Sequence, residues 1–186
     1  MFKYRIDDEL ELKLLEPADA EALYRLIHAN RSYLRKWMAW VDATKSPQDT
    51  RSFIESARIR WAKGDGMTAG ILFHGELCGT IDHHALCLLN RRTSIGYWLA
   101  ESHQGLGIMT RACRAMVSHA FKGLGLYRVE IRAGVNNLKS RSVPERLGFS
   151  FEGVARGGQR LYDRYIDLAV YGMLADEWDS SPAGAK

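Results

Sequence analysis

The sequence predicts an α/β layer fold on a mixed sheet. Three observations predict it. Strand-like segments interleave with segments whose apolar residues recur at helical spacing. Several boundaries carry their own capping or turn chemistry. The chain has 186 residues, 46% hydrophobic and 26% charged, which suffices for one cored domain and is short for two. A single domain over 1–179 is expected, with a flexible tail over 180–186 (SSPAGAK).

Each element follows from local pattern. Glu9–Leu14 (ELELKL) alternates polar and apolar residues, a strand signal. Pro17 and Asp19 open a helix with the apolar stripe Ala20, Leu23, Leu26 and Ile27. A second helical piece holds Leu34, Trp37, Met38 and Val41. At Ser46-Pro47-Gln48-Asp49 the serine can cap, the proline suits a first turn and the aspartate complements the helix dipole. That helix should run to about Ala62 and stop at Gly64-Asp65-Gly66. A hairpin follows: Thr68–Phe73, a turn at His74-Gly75, then Glu76–His84. Thr93–Ala100 is a strand, and 107–122 a helix that Gly123 and Gly125 end. Tyr127–Ala133 is a strand, Leu138–Leu147 a helix stopped by Gly148, and Phe149–Arg156 and Arg164–Leu174 the last strands. The order is β-α-α-β-β-β-α-β-α-β-β.

Composition narrows the function classes. No apolar run approaches the roughly 18–20 residues of a membrane span. The charged start MFKYRIDDELELK lacks the apolar region of a signal peptide, so a cytoplasmic protein without membrane partners is expected. The formal charge is +4, with 18 Arg against 8 Lys, which favours anionic partners such as phosphate-bearing cofactors. The basic residues form no run of five, so no nucleic-acid partner is expected. Cys78, Cys87 and Cys113 are too few and scattered for a disulfide framework or a zinc site; they read as small buried hydrophobes, and no metal is expected.

The segment that carries chemistry is Ile95–Thr110, IGYWLAESHQGLGIMT. A strand runs into a glycine-containing loop that opens a helix. The first amides of a helix lack internal partners and sit at the positive end of its dipole. Glycines at 105 and 107 let a ligand approach the backbone, so the loop can hold a phosphate or diphosphate. No Lys follows as a P-loop requires. Gly105-x-Gly107-x-x-Thr110 with Glu130 downstream partly matches a dinucleotide fingerprint, but Thr replaces the third small residue and too few βα units remain. A purely structural glycine turn is the plain alternative.

Gln104-Gly105-Leu106-Gly107-Ile108-Met109 resembles the Gln/Arg-x-x-Gly-x-Gly/Ala loop of GCN5-related N-acetyltransferases, departing from it at Met109. Downstream, Asn137-Leu138-Lys139-Ser140-Arg141-Ser142-Val143-Pro144-Glu145-Arg146-Leu147-Gly148-Phe149 resembles the family's N-x-x-S-x-x-V-x-E-[KR]-L-G-F helix, and Phe151-Glu152-Gly153 continues it. Asn30-Arg31-x-x-Leu34-x-x-Trp37 and Ile95-Gly96-Tyr97-Trp98-Leu99 are similar to the RimL-type branch, whose named members acetylate the N-terminal amine of a ribosomal protein. The resemblance spans about residues 9–178. It implies one twisted, mostly antiparallel mixed sheet of six to seven strands flanked by helices.

It also implies roles. Acetyl-coenzyme A (acetyl-CoA) is the expected co-substrate, its diphosphate held by Gln104, Gly105, Leu106, Gly107, Ile108, Met109 and Thr110. Backbone groups of Trp98, Leu99 and Ala100 would pair with the pantetheine arm. Asn137 is either an N-cap or a pantetheine ligand. Ser140 is the candidate acid, since a thiol with a pKa of roughly 8.5 leaves more readily beside a hydroxyl donor. Arg141 and Arg146 either reach phosphates or lie on solvated helix surface. His83 and His84 face opposite sides of a strand, so one can look toward the acceptor. His84 and Glu101 are put forward as catalytic and His83 as substrate-binding; Asp82 and Glu130 are further candidate bases. Trp37 and Trp40, with Met38 and Val41, either wall the acceptor groove or pack the core. Trp61 and Trp178 are assigned to packing. The expected activity is direct acetyl transfer to a primary amine, most specifically the α-amine of a (ribosomal) protein. Acylation of an aminoglycoside or polyamine, another acyl donor, and a coenzyme-A-binding sensor are the alternatives. A homodimer is implied by resemblance only.

Overall fold

A computed structural model describes residues 3–180. Of the tail expected over 180–186, Ser180 ends a helix and 181–186 lie outside the described residues. One sheet of eight strands organises the fold, in the order β1-β2-β3-β4-β5-β6-β8-β7. The strands are β1 (Lys3–Arg5), β2 (Leu10–Leu14), β3 (Met67–Phe73), β4 (Glu76–Cys87), β5 (Arg92–Leu99), β6 (Arg128–Gly134), β7 (Ser150–Leu161) and β8 (Arg164–Leu174). The helices are α1 (Ala20–Ala29), α2 (Arg31–Leu34), α3 (Pro47–Lys63), α4 (Ile108–Ser118), α5 (Leu138–Arg146) and α6 (Ala175–Ser180). Among the described residues there are eight strands, against six to seven expected. The edge strand β1, three exposed residues of KYR, is too short for its alternation to mark a strand. Among the described residues, no helix is long and apolar enough to cross a membrane.

The chain clusters into two compact units. One comprises the residues up to Asp82 together with Tyr97–Ile108; the other comprises His83–Gly96 and the residues from Met109 onward.

In the first unit, β1 pairs with β2 and β2 with β3, both antiparallel. Strand β2 alternates as its sequence requires, burying Leu10, Leu12 and Leu14. Helix α3 begins with a capping box. Asp49 N–H donates to Ser46 Oγ, while the Asp49 carboxylate accepts from the Ser46 amide at 2.8 Å. The β3–β4 hairpin turns at His74 and Gly75, φ 50° and 82°, the left-handed pair of a two-residue hairpin loop. Leu15, Leu23, Ile27, Leu34, Val41 and Ile54 form a core that also receives the ring of Trp98. Each such side chain contributes about 1.5–3 kcal/mol by leaving water.

In the second unit, β5 pairs with β6 in parallel, while β6–β8 and β7–β8 are antiparallel. Helix α4 closes at Ser118 and passes into a wider π turn over His119–Gly123, which replaces the regular helix expected to 122. Strand β7 extends five residues beyond its expected end at Arg156, with register shifts after Phe151 and Ala155. Trp178 is buried as expected and its indole N–H reaches Ser118 Oγ at 3.3 Å. Trp61, also assigned to packing, is exposed: α3 buries only Thr50, Ile54 and Ala57, a narrow stripe that misses position 61.

Candidate active site

Strand β5 ends at Leu99, and the chain passes through a 3₁₀ turn (Glu101–His103) and the loop Gln104–Gly107 into α4. Gly105 and Gly107 take φ of 80° and 72°. A β-carbon at either would meet no other atom within 4 Å, so the space over this backbone is open. Ile108 and Met109, which follow, are buried. Met109, the departure from the family loop, therefore spends its bulk on the interior and leaves the loop surface unobstructed. Leu106 is exposed. The amides of the first turn of a helix have no partner within it, the condition that an anion site at a helix start requires.

Trp98, Leu99 and Ala100 are all buried. The Ala100 amide donates to the Cys78 carbonyl at 2.8 Å, and its own carbonyl accepts from His103 N–H at 3.0 Å. Its amide is thus committed inside the protein. A β-carbon on Gly79 would collide with the Trp98 carbonyl and stand 3.0 Å from Leu99 Cα, so only glycine admits this end of β5.

Asn137 caps α5, its side-chain oxygen accepting from Ser140 N–H at 3.3 Å. Ser140 sits half-buried in the first turn. Arg141 is held by its neighbours: Nε donates to Tyr171 Oη at 2.8 Å and Nη1 to the Val135 carbonyl at 2.9 Å. Tyr171, 1% exposed, donates in turn to Glu145 Oε1 at 2.6 Å. Burial and that carboxylate raise the Tyr171 pKa, keeping the phenol protonated. Arg141 therefore anchors the helix that carries Ser140 to β8. Arg146, the last residue of α5, extends its side chain to the first turn of α4, its Nη1 3.5 Å from Thr110 Oγ1. Tyr171→Phe is expected to destabilise the fold by about 1–2 kcal/mol, since it leaves an arginine and a carboxylate without their shared hydroxyl. Chemical denaturation would measure it, and an unchanged midpoint would remove Tyr171 from the anchoring of α5.

The two histidines do face opposite ways. His83 is 3% exposed with neither ring nitrogen hydrogen-bonded within the protein; His84 is exposed. Burial, and secondarily His119 and His84, push the His83 pKa down to about 3, so its ring is neutral at physiological pH and a weak base. Its ring centroid lies 6.1 Å from that of His119. Glu101 is exposed, two residues past the end of β5. Glu130 is tied to Arg128 and Arg132 at 3.0 and 2.6 Å, an ion-pair role. Asp82 is half-buried. Trp40 is 37% exposed and its ring stands 6.1 Å from that of Trp98; Trp37 and Met38 are half-buried and Val41 is in the core. Cys78 and Cys113 are buried, which raises both thiol pKa values, to about 12 for Cys78, and removes thiolate chemistry from them. Cys87 is half-buried.

The Acetyltransferase (GNAT) domain family matches residues 9–150, about three-quarters of the chain. The chain is a GNAT acetyltransferase. It is therefore an acyltransferase enzyme. It is 42% identical to the putative ribosomal N-acetyltransferase YdaF of Bacillus subtilis, over 96% of this chain and 98% of that one. It is 32% identical to the ribosomal-protein-serine acetyltransferase of Escherichia coli, over 92% of this chain and 96% of the relative. A solved structure of RimL, a ribosomal L7/L12 alpha-N-protein acetyltransferase in complex with coenzyme A, superposes with a TM-score of 0.91 at 27% identity, covering 95% of this chain and 99% of that chain.

Two groups of this acetyltransferase escape sequence reasoning. Tyr171 lies in a run of strand residues and shows no signal of its partnership with Arg141, 30 positions away. Asn30 belongs to a motif of the branch, but nothing local says that its side-chain oxygen accepts the Glu101 amide at 2.9 Å, 71 positions away.

Proposed function

We propose that this acetyltransferase moves the acetyl group of acetyl-CoA directly onto the N-terminal α-amine of a protein, most specifically a ribosomal one. The observation that carries the reading is end-to-end similarity, at 42% and 32% identity, to relatives named for ribosomal-protein acetylation. The open, doubly left-handed glycine loop ahead of α4 fits a diphosphate-bearing donor.

Acetyl-CoA supplies the activated thioester. The chain does the rest. The amides of Gly105, Leu106, Gly107, Ile108, Met109 and Thr110 take the diphosphate, with Gln104 at the loop entry. Arg146 adds positive charge beside Thr110; Arg141, engaged by Tyr171, serves α5 instead. Backbone groups of Trp98 and Leu99 align the pantetheine arm, and an amide there polarises the carbonyl oxygen. Asn137 orients the first turn of α5, and Ser140 Oγ delivers a proton to the departing sulfur. His84 and Glu101, both exposed, are the candidate groups to take the proton from the amine, directly or through water. Trp40 stacks the first residues of the acceptor.

An α-amine asks least of a base. Its pKa is roughly 7.7–8.0 against about 10.4 for lysine, a gap of about 2.5 units or roughly 3.4 kcal/mol that a lysine acceptor would have to recover. A peptide with a free N-terminus should therefore be acetylated faster than its N-terminally blocked, lysine-containing twin. Mass spectrometry of both products tests this. Faster reaction of the blocked twin, or turnover confined to aminoglycosides or polyamines, would overturn the acceptor class while leaving the family intact.

A further inference from the structure

We propose that Asn30 and Tyr33 are positioning residues for the donor loop: together they hold both ends of the turn 101–104 that launches the diphosphate-binding amides. The proposal rests on acetyl-CoA being the donor.

Asn30 lies between α1 and α2. Its Nδ2 donates to the Leu26 carbonyl at 2.9 Å, which fixes the orientation of the amide group. Its Oδ1 is thereby directed to accept the Glu101 N–H at 2.9 Å. One turn on, Tyr33 packs against the hydrophobic core and its hydroxyl shares a hydrogen bond with the Gln104 side chain. Glu101 begins the turn and Gln104 ends it, so the two side chains grip its two ends.

The turn needs such a grip. Its internal bonds are His103 N–H to the Ala100 carbonyl at 3.0 Å and Gln104 N–H to the Glu101 carbonyl at 3.3 Å, the second near the limit of a useful hydrogen bond. The glycines that follow have the widest conformational choice of any residue and no side chain to restrict it. Preorganisation of their amides must come from outside the loop, and ordering them before the donor arrives is what spares affinity on binding. Arg31, between the two residues, donates to the Val41 carbonyl at 2.6 Å and to the Thr44 carbonyl, so the same short segment also secures the turn bearing Trp40.

The test compares wild type, Asn30→Ala and Tyr33→Phe by calorimetry with coenzyme A and by initial rates with acetyl-CoA and a free-N-terminus peptide. Each variant should weaken coenzyme A binding about three- to tenfold and raise the acetyl-CoA KM by the same factor, as expected for one lost hydrogen bond. The kcat at saturating donor and the peptide KM should stay within about twofold. A merely structural role would lower thermal stability and kcat without singling out the donor KM, and that pattern would overturn the proposal. If wild type binds coenzyme A and both variants bind it equally, the grip is refuted and the donor assignment stands. If wild type does not bind coenzyme A, both fall.

Discussion

Replacing Gly107 with valine is expected to lower coenzyme A affinity at least about 100-fold, or roughly 2.7 kcal/mol. Two effects add. Position 107 has φ of 72°, a region that a β-branched residue enters at a cost of about 1–3 kcal/mol. The valine side chain would also occupy the open space above the loop, where no protein atom lies within 4 Å of a β-carbon. That openness keeps the test clean. The added β-carbon meets no protein atom within 4 Å, so the variant should fold and its defect should appear in binding. Calorimetry measures the affinity and a thermal melt checks the fold. A folded variant with wild-type affinity would remove the loop from donor binding.

Ser140→Ala should lower kcat about 100-fold, within the range of a general acid, while coenzyme A affinity changes little. The substitution is conservative for the helix. What Ser140 gives to the cap of α5 is its backbone N–H, which donates to Asn137 Oδ1 and is retained in alanine. Loss of activity can therefore be assigned to the hydroxyl. Rates should be taken where chemistry limits turnover, with single-turnover mixing as the check. Undiminished kcat there would exclude Ser140 from proton delivery. The proton would then have to reach the sulfur from another donor, water included.

The parts of this enzyme legible in the sequence are those governed by neighbours along the chain. Ser46 and Asp49 lie three positions apart and make the reciprocal capping bonds their types predict. His74 and Gly75 turn the hairpin where the turn residues stand. Gly105 and Gly107 adopt the left-handed backbone that only their lack of a β-carbon makes inexpensive. Asn137 caps the helix it precedes. Alternation on β4 was sufficient to set His83 and His84 on opposite faces.

Tertiary structure decided everything that depends on which distant group arrives. Trp61 and Trp178 are the same residue type, yet one is exposed and the other fully buried, because burial depends on which helix face meets the sheet. Alternation could separate the two histidines but could not say that His83 is the enclosed one. In sequence Arg141 reads either as a phosphate ligand or as solvated helix surface; the bonds it makes to Tyr171 on β8 and to the Val135 carbonyl just past β6 are visible only in the structure. Asn30 reaches Glu101 across 71 residues. A cap or a tight turn is settled by steric and hydrogen-bonding preferences within a few residues, which the local sequence specifies. A long-range hydrogen bond or the burial of one ring is settled by packing the whole chain at once, and no short window of sequence contains that information.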